Sequence, residues 1–151
     1  MKTTQQYAIV VSEFNSKITH ALQEGAYNRL IERGVDKNNI MIVKVPGAIE
    51  IPLATLWLAQ SKKYQAIICL GAVIRGETNH YNYVCDQVST GCQTIMLQYN
   101  MPVIFGVLTT DTFQQALDRA TGTKGHKGQY AADAAIQMVK LRETICAGAV
   151  S

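Results

Sequence analysis

Four short runs of apolar and β-branched residues, each followed by a longer stretch of helical period, constrain this chain more than any other feature. They are Tyr7 to Val11 (YAIVV), Ile40 to Val45 (IMIVKV), Ala66 to Ile74 (AIICLGAVI) and the VIFGVLT that follows Pro102. The continuous apolar run of Tyr7 to Val11 marks a strand covered on both faces rather than a half-exposed one. Helices between such strands make βαβ units, a parallel sheet and right-handed crossovers. The expected fold is therefore α/β, a three-layer α/β/α sandwich on a four-stranded parallel sheet. Its ligand site should lie beyond the carboxyl ends of the strands.

The helical stretches carry their own signals. Asn15 or Ser16 is placed to cap a helix whose Ile18, Leu22, Ala26 and Leu30 fall four apart on one face, and Gly34 ends it. Pro52 opens a second helix, expected to turn Leu53, Leu56 and Trp57 towards the core. A polar loop, RGETN, leads into a long helix from about His80 to Tyr99, where Gly91 is a weakness of about 1 kcal/mol against Ala. Further helices are expected over Thr112 to Ala120 and from about Gln129 to Ile145, separated by the glycine-rich TGTKGHKG. Without repeats or linkers, the 151 residues read as one domain, 1–151.

Composition narrows the function classes. Fourteen Lys and Arg against 11 Asp and Glu leave a net charge of +3, too weak to argue for nucleic acid. No apolar run reaches membrane-spanning length, and the N-terminus lacks the order of a signal peptide. Cys69, Cys85, Cys92 and Cys146 form no C-x-x-C pair, and no His stands at zinc spacing, so no metal site is expected. A reduced, cytoplasmic setting follows, with Cys69 a small buried hydrophobe.

The strand-end rule selects Phe14-Asn15, Gly47-Ala48-Ile49-Glu50, residues 75–80, Phe105 and Thr109-Thr110. Phe14 is either a core residue or a stacking platform. Glu50 is either a first-turn acid favoured by the helix dipole or an acceptor for a polyol. The segment GAVIRGETNH (71–80) is a strand, a glycine-bearing loop and a helix start, the pattern of an anion cradle. Glu77 stands where a nucleotide loop would have Lys, and no G-x-G-x-x-G follows the first strand. A smaller phosphorylated compound fits better than a nucleoside triphosphate or a dinucleotide. His80, beside that cradle, is placed for general acid–base work. Arg119, Lys124 and Lys127 suit either the negative end of a helix or a phosphate clamp.

Together, VSEFNSKIT (11–19), VPGAIEIPLA (45–54), GAVIRGETNHYNYV (71–84), PVIFGVLTT (102–110) and QALDRATGTKGHKG (115–128) resemble the lumazine synthase family, also called the riboflavin synthase beta chain family. The resemblance implies a flavodoxin-like topology and a transferase that works without a cofactor. Its two small-molecule substrates would be 5-amino-6-(D-ribitylamino)uracil and 3,4-dihydroxy-2-butanone 4-phosphate. The products would be 6,7-dimethyl-8-ribityllumazine, phosphate and water, in the penultimate step of riboflavin biosynthesis. By position, Phe14 and Asn15 would meet the pyrimidine, Ala48, Ile49 and Glu50 the ribityl chain, and Ala72, Val73 and Ile74 the ring. Gly76, Glu77 and Thr78 would cradle the phosphate, and His80 would move protons.

Phe105, Arg119 and Lys127 would come from the adjacent chain of a homopentamer, with Arg119 pairing the phosphate. Family members also pack twelve pentamers into an icosahedral shell, and association with riboflavin synthase is a further partnership the resemblance brings. Ile49 stands where an aromatic is common, and Thr121 and His126 replace the usual Gly and Asn.

Overall fold

The four apolar runs form one parallel sheet in the computed structural model, which describes residues 4–148. The ends of the expected 1–151 domain, residues 1–3 and 149–151, lie outside the described residues. The strands are β1 (Tyr7–Ser12), β2 (Ile40–Val45), β3 (Ala66–Ile74) and β4 (Val103–Thr110), in the order β2-β1-β3-β4. Tyr7 stands opposite both Ile40 and Ala66, and Ile67 opposite Val103. The helices are α1 (Ser16–Glu32), α2 (Ile51–Ser61), α3 (His80–Tyr99), α4 (Phe113–Thr121) and α5 (Lys127–Cys146).

Every residue of β1 is buried, because alternate side chains enter two different cores. Tyr7, Ile9 and Val11 join Leu22 of α1, Ala116 of α4 and Ala135 of α5. Ala8 and Val10 join Ile51 of α2 and Val88 of α3. The result is a three-layer α/β/α sandwich of flavodoxin-like topology. Each fully buried Leu or Ile contributes about 1.5–3 kcal/mol to it. Successive strands are laid down in opposite directions from β1, so the crevice between β1 and β3 is the topological switch point, where such sheets bind ligands.

Two sequence expectations are corrected. Leu53 and Trp57 do not face the core: they are 51% and 62% exposed, while Leu56 is half-buried. The buried stripe of α2 is Ile51, Ala54, Thr55 and Ala59, which puts Leu53 and Trp57 on the outer face. Nor does Asn15 or Ser16 cap α1 with its side chain. Asn15 adopts left-handed backbone angles (φ 62°) and sends its amide elsewhere, while Ser16 is already in the helix. Gly91 has a packing reason: a Cβ there would stand 2.7 Å from Pro52 Cβ, so glycine permits the close approach of α3 to α2.

Candidate functional site

The turns after β1, β2 and β3 enclose a cavity of about 550 Å³ at the switch point. Backbone pairing sets its first wall. Beyond the strands, the Glu13 and Phe14 N–H groups donate to Val45 and Pro46 carbonyls at 2.8 and 3.0 Å. The ladder thus continues to the point where Phe14 meets the turn at Gly47. The Phe14 ring is 72% exposed, which excludes the core reading for it. Asn15 turns inward instead, and its Nδ2 donates to the Ala72 carbonyl at 3.0 Å. That bond ties the β1–α1 turn to the end of β3. It also accounts for the left-handed backbone, which Asn tolerates better than most residues.

The second wall is the single 3-10 turn Ala48–Glu50. Glu50 folds back so that its Oε1 accepts the Gly47 N–H at 2.9 Å, leaving the other oxygen free of any protein partner among the described residues. Ala72, Val73 and Ile74 form the third wall, with Gly76, Thr78 and His80 continuing it. At the start of α3, the His80 N–H donates to Thr78 Oγ1 at 3.2 Å, so cradle and helix form one turn. His80 is exposed at this rim.

Eleven of the candidate site residues therefore line one cavity: Phe14, Asn15, Ala48, Ile49, Glu50, Ala72, Val73, Ile74, Gly76, Thr78 and His80. Four others do not. Glu77 is exposed and outside the lining. Phe105 is half-buried in β4 and packs on the core shared with α2 and α3. Arg119 and Lys127 meet at a separate depression of about 300 Å³ on the β4 edge, beside Lys124 and Tyr130. There Arg119 folds back on its own helix, donating to the Gln115 carbonyl at 2.9 Å.

Sequence reasoning missed Tyr81, Val84 and Phe113, which also line the cavity, as does Gly47, which the strand-end rule selects. Val84 lies one helical turn beyond His80, a spacing that could have found it. Phe113 follows the end of β4 and would have emerged from extending the strand-end rule past Thr110. Arg75, selected with residues 75–80, does not line the cavity but braces it. Its Nε donates to Asp111 at 2.8 Å and its guanidinium lies 4.3 Å from the centre of the Tyr81 ring. Its N–H donates to the Thr110 carbonyl at 2.9 Å. The cradle loop is thereby fastened to the end of β4. The bond to Asp111 raises the Arg75 pKa, and burial raises that of the Tyr81 phenol, so both keep their protons.

Among the described residues no helix is long and apolar enough to cross a membrane, and no three His, Cys, Asp or Glu are grouped to hold a metal ion. The cavity thus offers an aromatic face, backbone polar groups, a carboxylate, a glycine-bearing turn at the start of α3 and an imidazole. The sequence model of the family described as 6,7-dimethyl-8-ribityllumazine synthase matches residues 4–143. Relatives bearing that description in Coxiella burnetii, strains CbuG_Q212 and RSA 493 / Nine Mile phase I, are 59% identical over 138 residues, covering 91% of this chain and 91% of each relative. With a match running almost end to end, the chain belongs to the 6,7-dimethyl-8-ribityllumazine synthase family of transferases.

Proposed function

We propose that the protein condenses 5-amino-6-(D-ribitylamino)uracil with 3,4-dihydroxy-2-butanone 4-phosphate to give 6,7-dimethyl-8-ribityllumazine, phosphate and water, the penultimate step of riboflavin biosynthesis. The observation that carries this reading is one cavity holding a free aromatic face, a carboxylate and an anion cradle around a single His. The pyrimidine stacks on Phe14, against the backbone of Ala72, Val73 and Ile74. The free oxygen of Glu50 accepts ribityl hydroxyls, with Ala48 and Ile49 alongside. Gly76 and Thr78 receive the phosphate from below, with Glu77 on the same loop.

The uracil amine attacks the ketone to give an imine with loss of water. Phosphate then leaves, and ring closure with a second dehydration completes the lumazine. His80, exposed at the cradle, carries the protons these steps require, which is worth about 10²–10⁴-fold. Holding both substrates in register supplies up to about 7–11 kcal/mol. The reaction calls on no cofactor, because the substrates carry the reactive groups.

The cradle contains no Lys or Arg that is free to meet a phosphate dianion, since Arg75 is paired with Asp111. The missing charge stands on the β4 edge as Arg119 and Lys127. In a homopentamer, Phe105, Arg119 and Lys127 of one chain complete the cavity of the next. The exposed apolar side chains Leu53, Trp57, Tyr83 and Leu97 support burial against neighbours. Packing of pentamers into a shell, association with riboflavin synthase and a cytoplasmic location belong to the same reading.

The test is lumazine formation from the two substrates, followed by absorbance against the uncatalysed background. Acceleration by assembled protein supports the reading. Its absence, with flavin found bound to the purified protein, would replace it with a binding role.

A further inference from the structure

The residues on either side of Lys127 are both pressed against α1, and glycine makes each contact possible. A Cβ on Gly25 of α1 would stand 2.0 Å from His126 Cε1, so the imidazole occupies the notch that Gly25 leaves. A Cβ on Gly128 would stand 2.3 Å from the Leu22 carbonyl oxygen, so α5 rests directly on the α1 backbone. Both neighbours of Lys127 thus lie in close contact with α1. The imidazole is also tied from its other side, because its Nδ1 accepts the Gln129 N–H at 3.3 Å and so starts α5.

Gln129 extends this anchorage, accepting from Arg29 at 2.8 Å, while Arg29 pairs with Asp133 at 2.9 Å. On the outer side the Tyr130 ring covers Gly125, whose φ of +83° and lack of a side chain let the hydroxyl approach. The glycine-rich loop is thus held by an inner bolt, His126, and an outer cover, Tyr130. Lys127 emerges between them beside Arg119.

We infer that His126, seated in the Gly25 notch, is a positioning residue that aims the Lys127 ammonium at the phosphate of the substrate. The inference rests on the proposed function above and deepens it. His126 touches no reacting atom and acts only through Lys127. A lysine aimed in advance keeps its charge-assisted hydrogen bond without first ordering a loop.

The experiment compares steady-state kinetics of His126→Ala, His126→Asn, Lys127→Ala and the double variant His126→Ala/Lys127→Ala. For His126→Ala, KM for the phosphorylated substrate should rise about tenfold, the share of a charged hydrogen bond lost on misaiming, with kcat nearly unchanged. His126→Asn keeps an acceptor for the Gln129 N–H and should return KM most of the way. In the double variant, the His126 substitution should add nothing to the effect of Lys127→Ala, because residues acting through one another are not additive.

Additive effects in the double variant, or an unchanged KM in His126→Ala while Lys127→Ala raises it, would overturn the inference and leave the reaction standing. An unchanged KM in Lys127→Ala would overturn both the phosphate role of the β4 edge and this inference. If His126→Ala fails to fold, His126→Leu, which fills the Gly25 notch but offers the Gln129 N–H no acceptor, takes its place in the same cycle. Equal KM values for Lys127→Ala with and without His126→Leu, where His126→Leu alone raises KM, support the coupling, and a further rise overturns it.

Discussion

The cradle at residues 76–78 and the basic corner at Arg119 and Lys127 are both suited to an anion, yet they are built from different material. The cradle is backbone, held between the end of β3 and the first turn of α3, and braced by Arg75 on Asp111. The corner is long side chains, one at the end of α4 and one at the start of α5, brought together on a strand edge. Backbone groups inherit their geometry from the sheet. Side-chain cations need a separate device to hold them, and the His126 seat against α1 supplies it. One corner gives shape and the other gives charge.

Mixing chains breaks or sharpens that comparison most strongly. Arg119→Ala should lower kcat/KM about 10²–10³-fold, since losing a charged phosphate contact also misplaces the reacting atoms. Co-assembly with His80→Ala chains should restore about a quarter of wild-type activity, the share of random interfaces that carry both intact faces. No recovery would put both corners in the same chain's site. His80→Ala alone should slow turnover about 10²-fold, at the low end for a general acid–base, and leave KM for the phosphorylated substrate nearly unchanged. A large rise in that KM would instead give His80 a binding role.

Smaller effects test the supports. Asn15→Ala removes the bond to Ala72 and leaves a residue that disfavours left-handed angles, so unfolding in urea should show a loss of about 2 kcal/mol. Binding of the pyrimidine should weaken with it. The last prediction concerns pH. Burial, with the Arg29 charge adding to it, holds the His126 pKa below its ordinary 6.5. The unfolded chain then binds the proton more readily, so stability is full above pH 6.5 and falls as pH drops through that value towards the folded pKa. Comparing urea midpoints across pH 5–7.5, about the range in which imidazole titrates, should show this slope in the wild type and a shallower one in His126→Asn. Equal slopes would separate His126 from the stability of the corner.

The strands and the cavity were legible because their signals are local. Continuous apolar runs announce buried strands, and GAVIRGETNH carries its turn chemistry within one segment. The outward face of α2 was not legible. The helix IPLATLWLAQS is apolar on nearly every side, so periodicity could not choose its inner face. The role of Asn15 was hidden because its partner, the Ala72 carbonyl, lies on another strand. His126 was equally opaque, a lone His among glycines until Gly25 is seen to leave room for it. Where a residue works through a partner distant in the chain, only the fold reveals it.

The crossing bond from Asn15 also bears on how the protein ages. Its amide is a wall tie, and amides hydrolyse slowly to carboxylates. An aspartate in its place would set a negative oxygen against the Ala72 carbonyl where a donor stood before. The tie would become a repulsion, parting the β1–α1 turn from β3 while leaving both hydrophobic cores intact. Old preparations should therefore lose their grip on the pyrimidine while still melting as folded protein.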